Sequence, residues 1–358
     1  MRKVTLVLAL FAGAGLAAAE KLDDQKLLEE ARKFFEPLPK VAENPDNPIN
    51  DAKVLLGKML YYDPRLSKSG FISCNSCHNL ARYGVDNLPT SIGHRWAIGP
   101  RNAPTVYNAA IHVAQFWDGR AKDVEEQALG PIVNPIEMAM PTPEEAVKVV
   151  KSIPQYVELF KKAFPNEKDP VTYENIGKAI GAFERTLMTP SRFDEFLKGN
   201  TDALTPQEKR GLKTFIEVGC ASCHNGAGVG GHMFTKFGQV TEYWKEIYPY
   251  VLKDKPAITV DFGRFGVTKK EQDMFVFKVP SLRNIEHTYP YFHDGSVWSL
   301  EDAVQIMAKT QLGKELTEQQ VKDIVAFLKA LTGEIPKHAL EVPVLPPSTE
   351  ETPRPRVD

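Results

Sequence analysis

The sequence is short of three things, and each shortage removes a class of protein. Four cysteines in 358 residues are too few for a small scaffold stapled by disulfides. A formal charge of −2 leaves no surplus of lysine and arginine, so the chain lacks the electrostatic footprint of a nucleic-acid binder. Beyond Ala19 no apolar run approaches the roughly 20 residues that cross a bilayer. The remaining composition, 42% hydrophobic and 25% charged, is that of an ordinary globular chain long enough for about two domains.

The first residues are Met1-Arg2-Lys3, then an apolar run from Val4 to Leu16, then Ala17-Ala18-Ala19. This is the pattern of a secretory signal peptide over residues 1–19, with cleavage expected after Ala19. As a membrane anchor the run is too short, and Glu20-Lys21-Leu22-Asp23-Asp24 follows it. Removing the leader takes away Arg2 and Lys3 and no acid, leaving 42 basic against 46 acidic residues, a charge of −4. The expectation is an exported, periplasmic protein with no membrane span after cleavage and no nucleic-acid partner.

Export normally suggests disulfides, but the cysteines fall in two tight pairs, each followed at once by histidine. The motifs are Cys74-Asn75-Ser76-Cys77-His78 and Cys220-Ala221-Ser222-Cys223-His224. In such a motif the two thiols add to haem vinyl groups, and the next imidazole ligates the iron from one face. His78 and His224 are therefore the expected proximal ligands of two covalently bound c-type haems. A redox dithiol needs one pair and no histidine, and a zinc site uses its cysteines as ligands and usually gathers all four.

An internal duplication sets the architecture. Pro104-Thr105-Val106-Tyr107-Asn108 matches Pro280-Ser281-Leu282-Arg283-Asn284, and Phe116-Trp117-Asp118-Gly119 matches Phe292-His293-Asp294-Gly295 at the same spacing. Each Asp-Gly turn leads into a helical segment, from Asp123 in one copy and Leu300 in the other. Each haem motif has a helical lead-in, around Ala52–Tyr61 and Pro206–Phe215. The expected fold is mainly α, with two tandem cytochrome c-like haem domains and few short strands, the best of them in Met274–Val279. A boundary is expected near Thr189-Pro190-Ser191, where the helical stretch Tyr173–Leu187 meets a proline. The divisions are residues 20–188 for the first haem domain, 189–335 for the second, and 336–358 for a proline-rich tail that is extended.

Each iron has a sixth position, and its occupant separates electron transfer from catalysis. Pattern alone leaves His94, His112, His232, His287 and His293 open, with Met138, Met140, Met233, Met274 and Met307. His94 lies in a loop between Pro89 and Pro100 by its turn residues.

Together, Ser91-Ile92-Gly93-His94, Gly99-Pro100-Arg101-Asn102, Phe116-Trp117-Asp118-Gly119-Arg120, Pro290-Tyr291-Phe292-His293 and Thr352-Pro353-Arg354-Pro355 resemble the bacterial di-haem cytochrome c peroxidases over nearly the whole mature chain. The resemblance implies that His94 is the removable sixth ligand of haem 1 and Met307 the permanent sixth ligand of haem 2, in preference to Met274. It implies that Glu137 moves a proton between the peroxide oxygens and Gln127 orients the bound molecule, while Trp117 lies between the haems. Asn102, Thr288 and Pro290 match the family's calcium site. The implied reaction reduces hydrogen peroxide to water with electrons from a small cytochrome c or copper protein (cupredoxin), in a homodimer. Arg95 departs from the pattern, standing where the family has glycine.

Two other readings are a related di-haem enzyme that oxidises protein tryptophan through a tyrosine-ligated iron, and a di-haem electron carrier. Met307 and His94 argue against the first. The second requires two permanently six-coordinate irons.

Overall fold

The computed structural model describes residues 23–251 and 260–358; the expected leader and its cleavage point lie outside them. Helices dominate, and two strands among the described residues form one small antiparallel ladder, β1 (Phe234–Lys236) pairing with β2 (Val276–Lys278). The strand expected in Met274–Val279 is thus present over its central residues.

The helices start where capping chemistry places them. Asn50 Oδ1 accepts the Lys53 N–H at 2.8 Å to open the helix Asp51–Tyr62. Thr205 and Glu208 close a reciprocal box at the start of Pro206–Val218, and Thr317 and Gln320 do the same for Glu318–Lys329. Asp51–Tyr62 packs on Tyr173–Glu184 in the first unit, and Pro206–Val218 packs on Glu318–Lys329 in the second. Both crossings are close enough to require glycine. A Cβ on Gly57 would strike the Ala179 carbonyl, and one on Gly211 the Asp323 carbonyl.

The duplication is visible in the backbone. Asn108 and Asn284 both have φ of 60°, and Phe116 and Phe292 have φ of 65° and 70°. The bridge Gln115–Ala121 recurs as Tyr291–Val297. Both asparagines donate their side-chain amide to one hydroxyl, Thr189 Oγ1, at 2.8 and 2.9 Å. The expected boundary is therefore a buried joint between the copies.

Packing does not follow chain order at the ends. Leu27, Leu28, Ala31 and Phe35 join the core of the second unit, with Phe193, Phe215 and Phe327. The apolar face of the helix Asp24–Ala31 has its partner there, and Lys209 pairs with Asp24. Conversely Ala339 joins the core of the first unit. The tail runs along that unit, where the Arg356 N–H donates to the Lys68 carbonyl at 2.8 Å. Among the described residues no helix is long and apolar enough to cross a membrane.

Candidate functional site: two unequal haem cavities

Each cysteine pair opens on a cavity. The first, about 1040 Å³, is walled by Cys74, Cys77, His78, Gln127, Pro131 and Glu137 among others. The second, about 220 Å³, is walled by Cys220, Cys223, His224, Ala303 and Met307 among others. None of the four cysteines is joined in a disulfide. Burial pushes Cys77 and Cys220 up to about 11 and Cys74 further still, which favours uncharged sulfur, the state a thioether keeps. Among the described residues no three His, Cys, Asp or Glu side chains converge on a metal-sized point, which leaves the cysteines without the partners of a zinc site.

The histidine of each motif stands beside its cysteines, in the wall of the same cavity. His78 Nδ1 lies 2.9 Å from the Pro104 carbonyl, a contact that holds the ring and leaves Nε2 for a metal. Burial lowers its pKa, keeping the imidazole neutral. His224 faces Pro280, the counterpart of Pro104. That carbonyl pulls its basicity upward, yet Nδ1 lacks an aligned partner. Burial dominates and lowers His224 to about 4. Paired cysteines beside a neutral imidazole, twice over, fit haem c.

The two cavity walls differ because equivalent helices carry different residues. The helix Val124–Val133 is capped by Asp123 and the helix Leu300–Leu312 by Ser299. Four residues past each cap stand Gln127 and Ala303; eight past stand Pro131 and Met307, and all four wall their cavities. The second helix thus offers a thioether to its cavity where the first offers a proline, which cannot ligate. Met274 walls neither cavity, nor do His232 and His287.

Glu137 is placed by the turn after its helix, where Asn134 Nδ2 donates to Glu137 Oε1 at 2.9 Å. Burial raises its pKa, with Arg120 and Asn134 acting in the opposite sense. His94 is buried, and neither ring nitrogen has a partner. Its ring is not in the cavity wall, whereas Gly93 is. The His94 main-chain N–H donates to the Glu137 carbonyl at 2.8 Å, so the loop and the acid are tied together. Arg95, at the position where glycine was expected, has a left-handed φ of 53°. That conformation costs a non-glycine residue roughly 1–2 kcal/mol.

A Cβ on Gly93 would overlap the Ile136 carbonyl. Gly93→Ala is therefore expected to push the loop off Glu137 at a cost of about 1–3 kcal/mol and to open residues 88–98 to limited proteolysis. Cleavage no faster than in the parent protein would contradict this contact.

Trp117 and His293 wall both cavities, with ring centroids 6.2 Å apart. Trp117 Nε1 donates to the Asn102 carbonyl at 2.9 Å, and Tyr243 Oη lies 2.9 Å from His293 Nε2. Asn102, Thr288 and Pro290 all wall the second cavity. Asn102 is held by its amide, which donates to the Leu88 carbonyl at 2.9 Å.

Sequence reasoning missed two buried ionisable groups. Glu184 walls the first cavity, and burial raises its pKa well above the ordinary range. Lys278 walls the second. Its only sequence signal is a lysine inside an otherwise apolar strand, Val276-Phe277-Lys278-Val279.

A mainly helical chain with two duplicated cavities, each lined by paired thiols and a following histidine, is a c-type di-haem protein. Residues 51–202 match the family model of the di-haem cytochrome c peroxidases, and residues 208–332 match that of cytochrome c. The chain is 49% identical to cytochrome c551 peroxidase of Pseudomonas aeruginosa over 342 residues, 95% of this chain and 94% of that one. It is 51% identical to cytochrome c551 peroxidase of Nitrosomonas europaea over 347 residues, 97% and 94% of the two chains. A solved structure of a MauG-like protein associated with microbial copper homeostasis superposes with a TM-score of 0.72 at 31% identity, covering 86% of this chain and 97% of that one. The chain belongs to the di-haem cytochrome c peroxidase family. It is a haem c peroxidase, and hydrogen peroxide is its substrate.

Proposed function

We propose that the protein is exported to the periplasm and reduces hydrogen peroxide to water with two electrons, received singly from a small cytochrome c or cupredoxin. The observation that carries the division of labour is the pairing of Met307 with Pro131 at equivalent helix positions. His224 and Met307 would hold the iron of the second haem in a closed site, and thioether ligation favours a high potential. His78 would hold the first, with His94 as its removable sixth ligand on the Gly93 loop. Bound in these cavities, the haems supply reversible one-electron couples and a position for peroxide.

The chain's own groups do the rest. Glu137, ionised, accepts the proton of one peroxide oxygen and returns it to the other as the O–O bond breaks. Gln127 presents its amide to the same space and orients the molecule. Trp117, in both walls, is the path between the centres. The loop's hydrogen bond from His94 to the Glu137 carbonyl couples the ligand's departure to the acid's freedom. A calcium ion would sit on neutral oxygens, Asn102 Oδ1 and the carbonyls of Thr288 and Pro290, since among the described residues none of these accepts a protein hydrogen bond. Homodimeric assembly follows the family resemblance.

The test is an optical and EPR titration with one electron per molecule, then peroxide. Half-reduction is expected to convert the first haem from six-coordinate to high-spin and to start turnover. A first haem that stays low-spin sinks the His94 switch. In Met307→Ala the methionine–iron charge-transfer band should vanish from the oxidised protein; its persistence would assign the ligand elsewhere.

A further inference from the structure

The two cavities differ in charge as well as in ligands. The first is walled by Asp118, Glu137, Glu184, Asp261 and Asp294 together with Arg101, Arg120 and Lys269, and burial favours the neutral form of both glutamates. The second has a single Asp, Glu, Lys or Arg in its wall among the described residues, and that is Lys278. Lys278 is 6% exposed. Its backbone is pinned twice, by the strand partner Phe234 and by the N–H donated to the Trp117 carbonyl at 2.8 Å. Among the described residues its ammonium has no salt bridge and no hydrogen-bond acceptor. Burial alone lowers it to about 8, the mark of an ammonium with no anion beside it. His112 walls the same cavity, feels the charge of Lys278, and has a buried Nε2 with no partner.

An unpaired cation held by fixed backbone in an apolar cavity is costly unless an anion comes to it. Haem carries two propionate carboxylates and is the one anionic group this cavity is built to receive. We propose that Lys278, with His112 beside it, is the carboxylate clamp of the second haem, ion-pairing a propionate and thereby holding that haem's reduction potential above the first's. This rests on the reading of the second cavity as a haem c site. Neutralising a propionate removes a negative charge that would favour ferric iron, so the pair favours reduction. In the first cavity Arg101 and Arg120 are already paired, with Asp118 and Asp261. Electrostatics and the Met307 thioether then point the same way, and electrons are drawn to the second haem first.

The experiment is a potentiometric titration of the full holoprotein, wild type against Lys278→Met, Lys278→Gln and Lys278→Arg. Haem stoichiometry of the wild type is measured first; fewer than two covalent haems would overturn the cavity reading itself, a separate result. The reduction equilibrium constant of the higher-potential haem is expected to fall at least tenfold in the Met and Gln proteins, 59 mV for one electron, and by less than that in the Arg protein. A smaller change in either neutral variant overturns the clamp. So does a loss in the Arg protein equal to that in Met, because packing and not charge would then be responsible. Should the neutral variants fail to attach haem, the propionate-bending band in resonance Raman decides: a shift between wild type and Lys278→Arg supports the ion pair, and an unshifted band overturns it.

Discussion

Replacing Glu137 by glutamine is expected to lower kcat by ~10²–10⁴-fold while both haems remain attached, the range for loss of a positioned proton carrier. Glutamine keeps the size of the side chain and can still accept from Asn134 Nδ2, now 2.9 Å from Glu137 Oε1. What it loses is the ability to take and return a proton. Burial raises the Glu137 pKa, against the opposing pull of Arg120 and Asn134, so the carboxyl stays protonated at pH values where an exposed glutamate is ionised. The ionised form is the competent base. Turnover of the parent protein should therefore rise with pH through that raised pKa, and the rising limb should be missing from Glu137→Gln. Steady-state kcat against pH for the two proteins is the measurement. A variant within threefold of the parent, or with the same acid limb, would show that another group carries the proton.

Thr189→Val should destabilise the protein by roughly 3 kcal/mol, because two buried amide donors lose their acceptor and each costs about 1–3 kcal/mol when left unpaired. Valine has the shape of threonine, so the cavity term is small. The donors are Asn108 Nδ2 and Asn284 Nδ2, one from each copy of the repeat. Thr189 is fully buried and also donates its N–H to Asn108 Oδ1 at 2.9 Å, while Gly333 donates to Asn284 Oδ1 at 2.9 Å. The substitution cuts one of the joints between the two units, so the denaturant transition should move to lower concentration and broaden or split. Thr189→Ser keeps the hydroxyl and should recover most of the loss. A Val protein with an unchanged midpoint and width would show the joint to be held elsewhere.

Helices and their limits were readable because their signals are local. The segment expected around Pro206–Phe215 starts behind the Thr205–Glu208 box and runs on to Val218, where Gly219 in the left-handed region ends it, and the Tyr173 helix ends at Glu184, shortly before Pro190. The partner of the Met274–Val279 strand was not readable, since β1 lies 44 residues away by the register Phe234–Lys278. Gln127 and Glu137 do face one cavity, but they reach it from a helix and from the turn beyond it.

The sequence by itself determined that there are two haem attachment sites and that the chain is a duplication. Both follow from covalent chemistry and spacing within a few consecutive residues, which no later packing can undo. Only the tertiary structure decided that the Asp24–Ala31 helix serves the second unit, that Thr189 is a joint, and that the second cavity holds one buried ammonium. Those facts depend on which distant surfaces meet: an amphipathic helix specifies that it must bury a face but not against what, and a lysine in a strand reads as solvent-facing until the fold encloses it. The inequality of the two haem centres stands between these. Met307 and Pro131 are written in the chain, but only the shared geometry of their helices places both on the wall of a cavity.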